Sequence, residues 1–263
     1  MSGDQQAYQN AMNQGHSAAW DQDWEKACSY YRVALAEFPE NFNALTSLAL
    51  ALFELQHYPE SLDFYTRAAK VTPTDPLPVQ KIAEIFERLG DLDKATRAYL
   101  EVAELYARNK DIEKAVRSWS HVVALNPENM TAHTRLALVY EHLGNTSLAM
   151  IEYISIASLL QGQGNVPKAI QTMQHALEVV PNSKEASLAM SLLQSGKPLP
   201  RPSRPRGGTG PLRMSQVRQG DAQKNDDVER SRLDPIQDAK QKAMTMLAEL
   251  LFEQEEAQSP QSR

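Results

Sequence analysis

Cysteine is nearly absent from this sequence. Cys28 stands alone among 263 residues, so no disulfide can form within the chain. It directly follows Ala27 in a helical pattern, and no His or Cys lies at metal-ligand spacing from it. That context reads as a buried, inert thiol. No apolar run approaches the length of a membrane span, and the opening stretch, MSGDQQAYQNAMNQGHSAAW, has neither the basic start nor the apolar run of a secretion signal. The expected location is therefore cytoplasmic. Asn129-Met130-Thr131 and Asn145-Thr146-Ser147 then match the glycosylation pattern by chance. Catalytic signatures are missing too: there is no phosphate-binding glycine loop, no nucleophile elbow and no HExxH. The histidines (His16, His57, His121, His133, His142, His175) are spread over different helical stretches at no ligand spacing. No catalytic residue, metal or cofactor is assigned, and the chain reads as something other than an enzyme.

What is present is a period. Small residues recur at Ala27, Ser61, Ala95, Ala115, Ala149 and Ala169, at spacings of 34, 34, 20, 34 and 20. A 34-residue period denotes pairs of helices that bury their apolar faces only by stacking on neighbours. Within residues 76–109, Val79, Ile82, Ala83 and Phe86 mark one face of a helix expected over 78–89. Gly90 and Asp91 supply a turn and an N-cap, and a second helix carries Leu92, Ala95, Tyr99 and Val102. The small residue is expected where the two helices cross most closely. Twenty residues cannot hold such a pair, so the later part repeats every 54 residues with three helices per unit: 81–127 aligns without gaps on 135–181. The middle helix of each unit must serve two neighbours and should be apolar over much of its circumference, as Leu148, Ala149, Ile151, Tyr153, Ile154, Ile156, Ala157, Leu159 and Leu160 suggest.

The aromatic–Ala–aromatic–Ala–Pro series (Trp24, Ala27, Tyr31, Ala34, Pro39, and again Tyr58, Ser61, Tyr65, Ala68, Pro73), with the endings FPEN, TPTD, NPEN and VPNS, resembles the tetratricopeptide repeat family over about residues 8–183. Ala49, Ala83, Ala103, Ala137 and Ala157 stand where that family often has Gly. The fold class expected is all-α: a right-handed α-solenoid of antiparallel helix pairs with about eleven helices over 1–195, a short helix at 184–195 closing its end. The resemblance implies a protein-interaction scaffold that binds a peptide or helix on a concave surface lined by first helices. Candidate residues there are Met12, His16, Ser47, Leu50, Glu54, Gln80, Lys81, Glu84, Glu87 and Arg88. The Lys, Asn and Arg clamp of chaperone-tail binders is not matched: Met12, His16, Ser47, Leu50, Leu77 and Lys81 hold those places, and only Lys81 is basic. The three-helix units alternate which helix faces which side, so the groove should be continuous only over about 8–90.

Charge divides the chain. Residues 1–195 carry 15 Lys and Arg against 23 Asp and Glu, 196–232 carry 9 against 4, and 233–263 carry 3 against 6. The segment 196–233, rich in Pro, Arg and Gly, should be a disordered linker spanning roughly 35 Å. Its basic arm, Arg201, Arg204, Arg206, Arg213 and Arg218, offers an alternative function in binding nucleic acid or an anionic surface, weakened by the lack of interleaved aromatics. Ser203 and Thr209 beside these arginines could accept phosphate. Asp234-Pro235 then opens an amphipathic helix over 234–257, with Ile236, Ala239, Ala243, Met246, Leu247, Leu250 and Leu251 on one stripe, before a disordered end at 258–263. That helix is expected either to occupy the solenoid of its own chain, so that a partner must displace it, or to join a second copy in a self-associating protein.

Overall fold

In the computed structural model of the protein, residues 3–202 are described. Among them eleven helices and no strands follow in order: α1 (Gln5–Trp20), α2 (Trp24–Glu37), α3 (Phe42–Glu54), α4 (Tyr58–Val71), α5 (Pro76–Arg88), α6 (Leu92–Arg108), α7 (Ile112–Leu125), α8 (Met130–His142), α9 (Thr146–Gly162), α10 (Val166–Val179) and α11 (Lys184–Gln194). The all-α helical-repeat class is as expected. The 54-residue period is explicit in the helix starts: α5, α6 and α7 begin at 76, 92 and 112, and α8, α9 and α10 at 130, 146 and 166. The helices shared by two motifs, α6 and α9, each run 17 residues, longer than any other. α5 starts two residues ahead of expectation because the Asp75 side chain accepts from the Leu77 amide at 2.9 Å and Pro76 suits a first helical turn. No described helix is long and apolar enough to cross a membrane. The chain divides into two compact units, Met1–Leu105 and Tyr106–Arg263, the division falling inside α6.

Six of the ten turns between the described helices close in the same way. A residue with positive φ follows the first helix, and the next residue donates its amide back to a carbonyl in that helix's last turn, as Asp91 does to Phe86 at 2.9 Å and His57 to Leu52 at 2.8 Å. Gly90 meets the requirement at no steric cost (φ 77°), whereas Gln56 occupies the same conformation (φ 61°) with a Cβ that resists it. Gln56→Gly is therefore expected to stabilise the first unit by about 0.5–1 kcal/mol, measured as a rise in midpoint on chemical denaturation.

The small residues do what their spacing requires. Ala27, Ser61, Ala95, Ala115, Ala149 and Ala169 are all at most 1% exposed. Ser61 makes its polar group harmless there by donating its hydroxyl to the Ala49 carbonyl at 2.7 Å. Bulky partners follow at the same intervals, with Tyr31, Tyr65, Tyr99, Trp119, Tyr153 and Met173 buried. Cys28 is buried in the first unit's core beside Tyr31 and Leu48, and burial pushes its thiol above the usual range. That agrees with an inert role.

The apolar circumference expected of α9 meets neighbouring helices on most sides and solvent on one. α9 does pack against α8, α10 and α11, but it is not covered all round: Ile151 is 58% exposed and Leu148 stands beside it on the same open edge, one turn earlier. A helix held between two neighbours still has a third side, and there the apolar residues meet solvent. Contacts to the helical body continue past residue 195. Gln161 of α9 accepts from the Leu199 amide and donates to the Lys197 carbonyl, both at 2.8 Å, and Leu199 is buried in the second unit's core. The remaining linker from 203, the helix expected over 234–257 and the end segment lie outside the described residues.

Candidate functional site

The first helices of the first unit place most candidate residues on solvent-facing turns, and one aromatic ring organises them. Phe53, on α3, has the Lys81 ammonium 5.5 Å and the Arg88 guanidinium 4.7 Å from its ring centre. Lys81 and Arg88 are seven residues apart on α5, hence on one face. Such stacking holds cations over an otherwise oily patch. Lys81 also pairs with Glu84 at 2.7 Å, and Gln80 donates to the other Glu84 oxygen at 3.1 Å. Arg88 makes a long contact of 3.5 Å to the Tyr58 hydroxyl and has no carboxylate partner among the described residues. Leu50 and Glu54, one turn apart on α3, complete the surface, with Leu50 39% exposed. Glu87 accepts from the Tyr99 hydroxyl at 3.0 Å; burial first, and this carboxylate second, push the phenol well above its ordinary range.

Toward the start of the unit the surface changes character. His16 is exposed and shares a 3.1 Å hydrogen bond with the Tyr31 hydroxyl, which Ser47 also contacts. Met12 does not belong with them. It is 6% exposed and sits in the core cluster, because its position on α1 turns toward α2 and α3.

The second unit carries two polar clusters that its sequence did not announce. Tyr153 donates to Glu141, and His175 Nε2 lies 3.1 Å from both. Burial alone would raise the Glu141 pKa, but the hydrogen bonds from Tyr153 and His175 hold it below the ordinary carboxylate value. The Glu141–Tyr153 pair stands 54 residues after Glu87–Tyr99, so self-alignment of the sequence could have flagged it. The second cluster is buried. His133 places Nδ1 2.5 Å from Glu152 Oε2 and Nε2 2.8 Å from the Pro127 carbonyl. No group of three or more His, Cys, Asp or Glu among the described residues could share a metal ion.

A family profile for the tetratricopeptide repeat matches residues 12–76 and 100–157. The chain is a tetratricopeptide repeat protein. No curated protein sequence matches it. Among solved structures it is similar to PcrH in complex with the chaperone-binding region of PopD (19% identity, 47% of this chain and 94% of that one, TM-score 0.44). It is also similar to a tetratricopeptide repeat protein from Parabacteroides merdae (16%, 73% and 87%, TM-score 0.36) and to YrrB, described as having an unusual peptide-binding site (15%, 69% and 91%, TM-score 0.32). At these scores the likenesses bear on neither partner nor site.

In this tetratricopeptide protein Lys81, the one base at a place matching the clamp of chaperone-tail binders, pairs with Glu84 at 2.7 Å. Of the basic arm only Arg201 is described; it is an exposed side chain 4.0 Å from Glu128. Arg204, Arg206, Arg213 and Arg218, like Ile236, Ala239, Ala243, Met246, Leu247, Leu250 and Leu251, fall outside the described residues.

Proposed function

We propose that this protein is a non-enzymatic interaction scaffold whose first unit binds an extended peptide or helix on the face formed by Leu50, Glu54, Lys81, Glu84 and Arg88 around Phe53, and that its own segment 234–257 is also a ligand of the helical body. The observation that carries the first part is Arg88. Its guanidinium stands 4.7 Å from the Phe53 ring centre, unpaired with any described carboxylate, and the exposed Leu50 precedes Phe53 by one turn of α3. A planar donor fork held by stacking is well set to take a ligand carboxylate while Leu50 takes an apolar side chain. The cations are divided between a paired Lys81 and an unpaired Arg88, so the preferred ligand combines one acid with apolar residues.

The full chain, used to select from a displayed library of random 12-residue peptides, is expected to enrich sequences with an acid near an aliphatic or aromatic residue. Arg88→Glu and Leu50→Glu are each expected to weaken a selected peptide about tenfold or more in a fluorescence-anisotropy titration. No enrichment, or binding that survives both substitutions, would refute this face as the site.

A further inference from the structure

A second surface lies on the other side of α5. Val79, Ile82 and Phe86 form the floor of an open groove of about 660 Å³ between α4 and α6. The 3.6-residue period turns these three residues nearly opposite to Lys81, Glu84 and Arg88, so the groove is separate from the Phe53 face. It exists because the flanking positions are small: Ala69 of α4 and Ala98 of α6 leave the floor uncovered. Its rim is cationic. Lys70 and Arg97 are exposed and enter no salt bridge among the described residues, while Lys94 stands 5.3 Å over the Phe86 ring and pairs with Asp91 at 2.7 Å. Glu101 is the one acid on the lining.

We infer that this α4–α5–α6 groove is the seat of the chain's own segment 234–257, an inference that rests on the self-ligand reading above and gives it a place. The complementarity is in both pattern and sign. Within 243–257 there are four glutamates and no Lys or Arg. At helical spacing Glu249, Glu253 and Glu256 fall at i, i+4 and i+7 along one edge of the stripe that carries Met246, Leu247 and Leu250. An apolar stripe with an acidic edge meets an apolar floor with a basic rim. Desolvation of the leucines supplies affinity, and the charge edge sets the orientation. The basic arm 197–218 carries the wrong sign for this rim, so the occupant is the acidic segment rather than the linker before it.

The test uses the full chain with a photoreactive benzoylphenylalanine in place of Leu250, cross-linked and mapped by mass spectrometry. Cross-links are expected on the groove lining, at 66–73, at Val79, Ile82 or Phe86, and at 94–101, and not at Lys81, Glu84 or Arg88. K70E/K94E/R97E should cut their yield about fivefold, and adding E249K/E253K/E256K should restore it. Restoration excludes simple misfolding of the reversed groove. Cross-links that survive the triple reversal, or that map to the Phe53 face, overturn the groove while leaving the self-ligand reading intact. No cross-link anywhere in 3–202 overturns both, and the peptide-binding role of the Phe53 face is then judged by its own titration.

Discussion

Gly15→Leu is expected to lower the thermal midpoint of the first unit by roughly 10–15 °C. Gly15 lies inside α1 with its α-carbon against Tyr31, and a Cβ added there would stand 2.4 Å from the ring's Cε1 and 2.7 Å from Cδ1. The ring has nowhere to go. Tyr31 is 2% exposed, and its hydroxyl is tied to His16. A single methyl, as in Gly15→Ala, sets the same clash against a helix-propensity gain of up to about 1 kcal/mol. A leucine adds three more carbons and has no such compensation, so an overpacking cost of about 3 kcal/mol follows. Gly162 is the control, since a Cβ there meets nothing within 4 Å; Gly162→Ala should be neutral or slightly stabilising. Scanning calorimetry of the full chain checks both. A Gly15→Leu protein that melts like the parent would mean that the α1–α2 crossing is looser than its geometry indicates.

Gly15 also shows why the fold was legible from sequence while the site was not. It stands 34 residues before Ala49 and 68 before Ala83, so the steric demand at a helix crossing repeats and leaves a period of small residues in the sequence. Ala27, Ser61 and their successors obey the same demand, and each is buried. Surface residues answer to no such repeat. Phe53 is part of an apolar run, LALALFE, and nothing local distinguishes it from its core neighbours. Its cations come from α5, 28 and 35 residues later, and meet it only once the helices have stacked. Met12 fails in the opposite direction. It stands at a place where the family resemblance implies a surface residue, but α1 has its own core to fill and Met12 is part of it. The left-handed residue at Gln56 is not legible, because a glutamine gives no sign of the conformation that Gly90 advertises.

His133 is the least legible residue and carries the second large effect. In sequence it is a lone histidine, and Glu152 is one helical charge among many. In the structure His133 is 2% exposed, with a carboxylate on one ring nitrogen and a carbonyl on the other. Neither partner can donate if Glu152 is ionised, so both nitrogens must carry protons and the ring is an imidazolium. Burial by itself would lower the pKa, but the hydrogen bonds to Glu152 and the Pro127 carbonyl, with the Glu152 charge, override it and raise it above the ordinary histidine value. The stability this pair gives the second unit is therefore complete below the unfolded-state pKa, near 6.5, and is lost as pH rises through the higher folded-state pKa. Truncating one member leaves the other buried without its partner, so His133→Ala is expected to destabilise the unit by about 3–5 kcal/mol at pH 6. The cost should shrink as pH rises through the folded-state value. A His175→Gln background removes that ring's contacts to Glu141 and Glu178, and the slope assigned to the His133 pair is the part that Glu152→Gln then takes away. Glu141 does not confuse the result: its pKa is depressed, so its contribution is lost only as pH falls through the carboxylate range. Denaturant midpoints from pH 5.5 to 9 should decline with pH in that background and flatten when Glu152→Gln is added. A flat profile before Glu152 is changed would show that the ring is neutral in the folded protein, and that one of its two short contacts is not the hydrogen bond its distance implies.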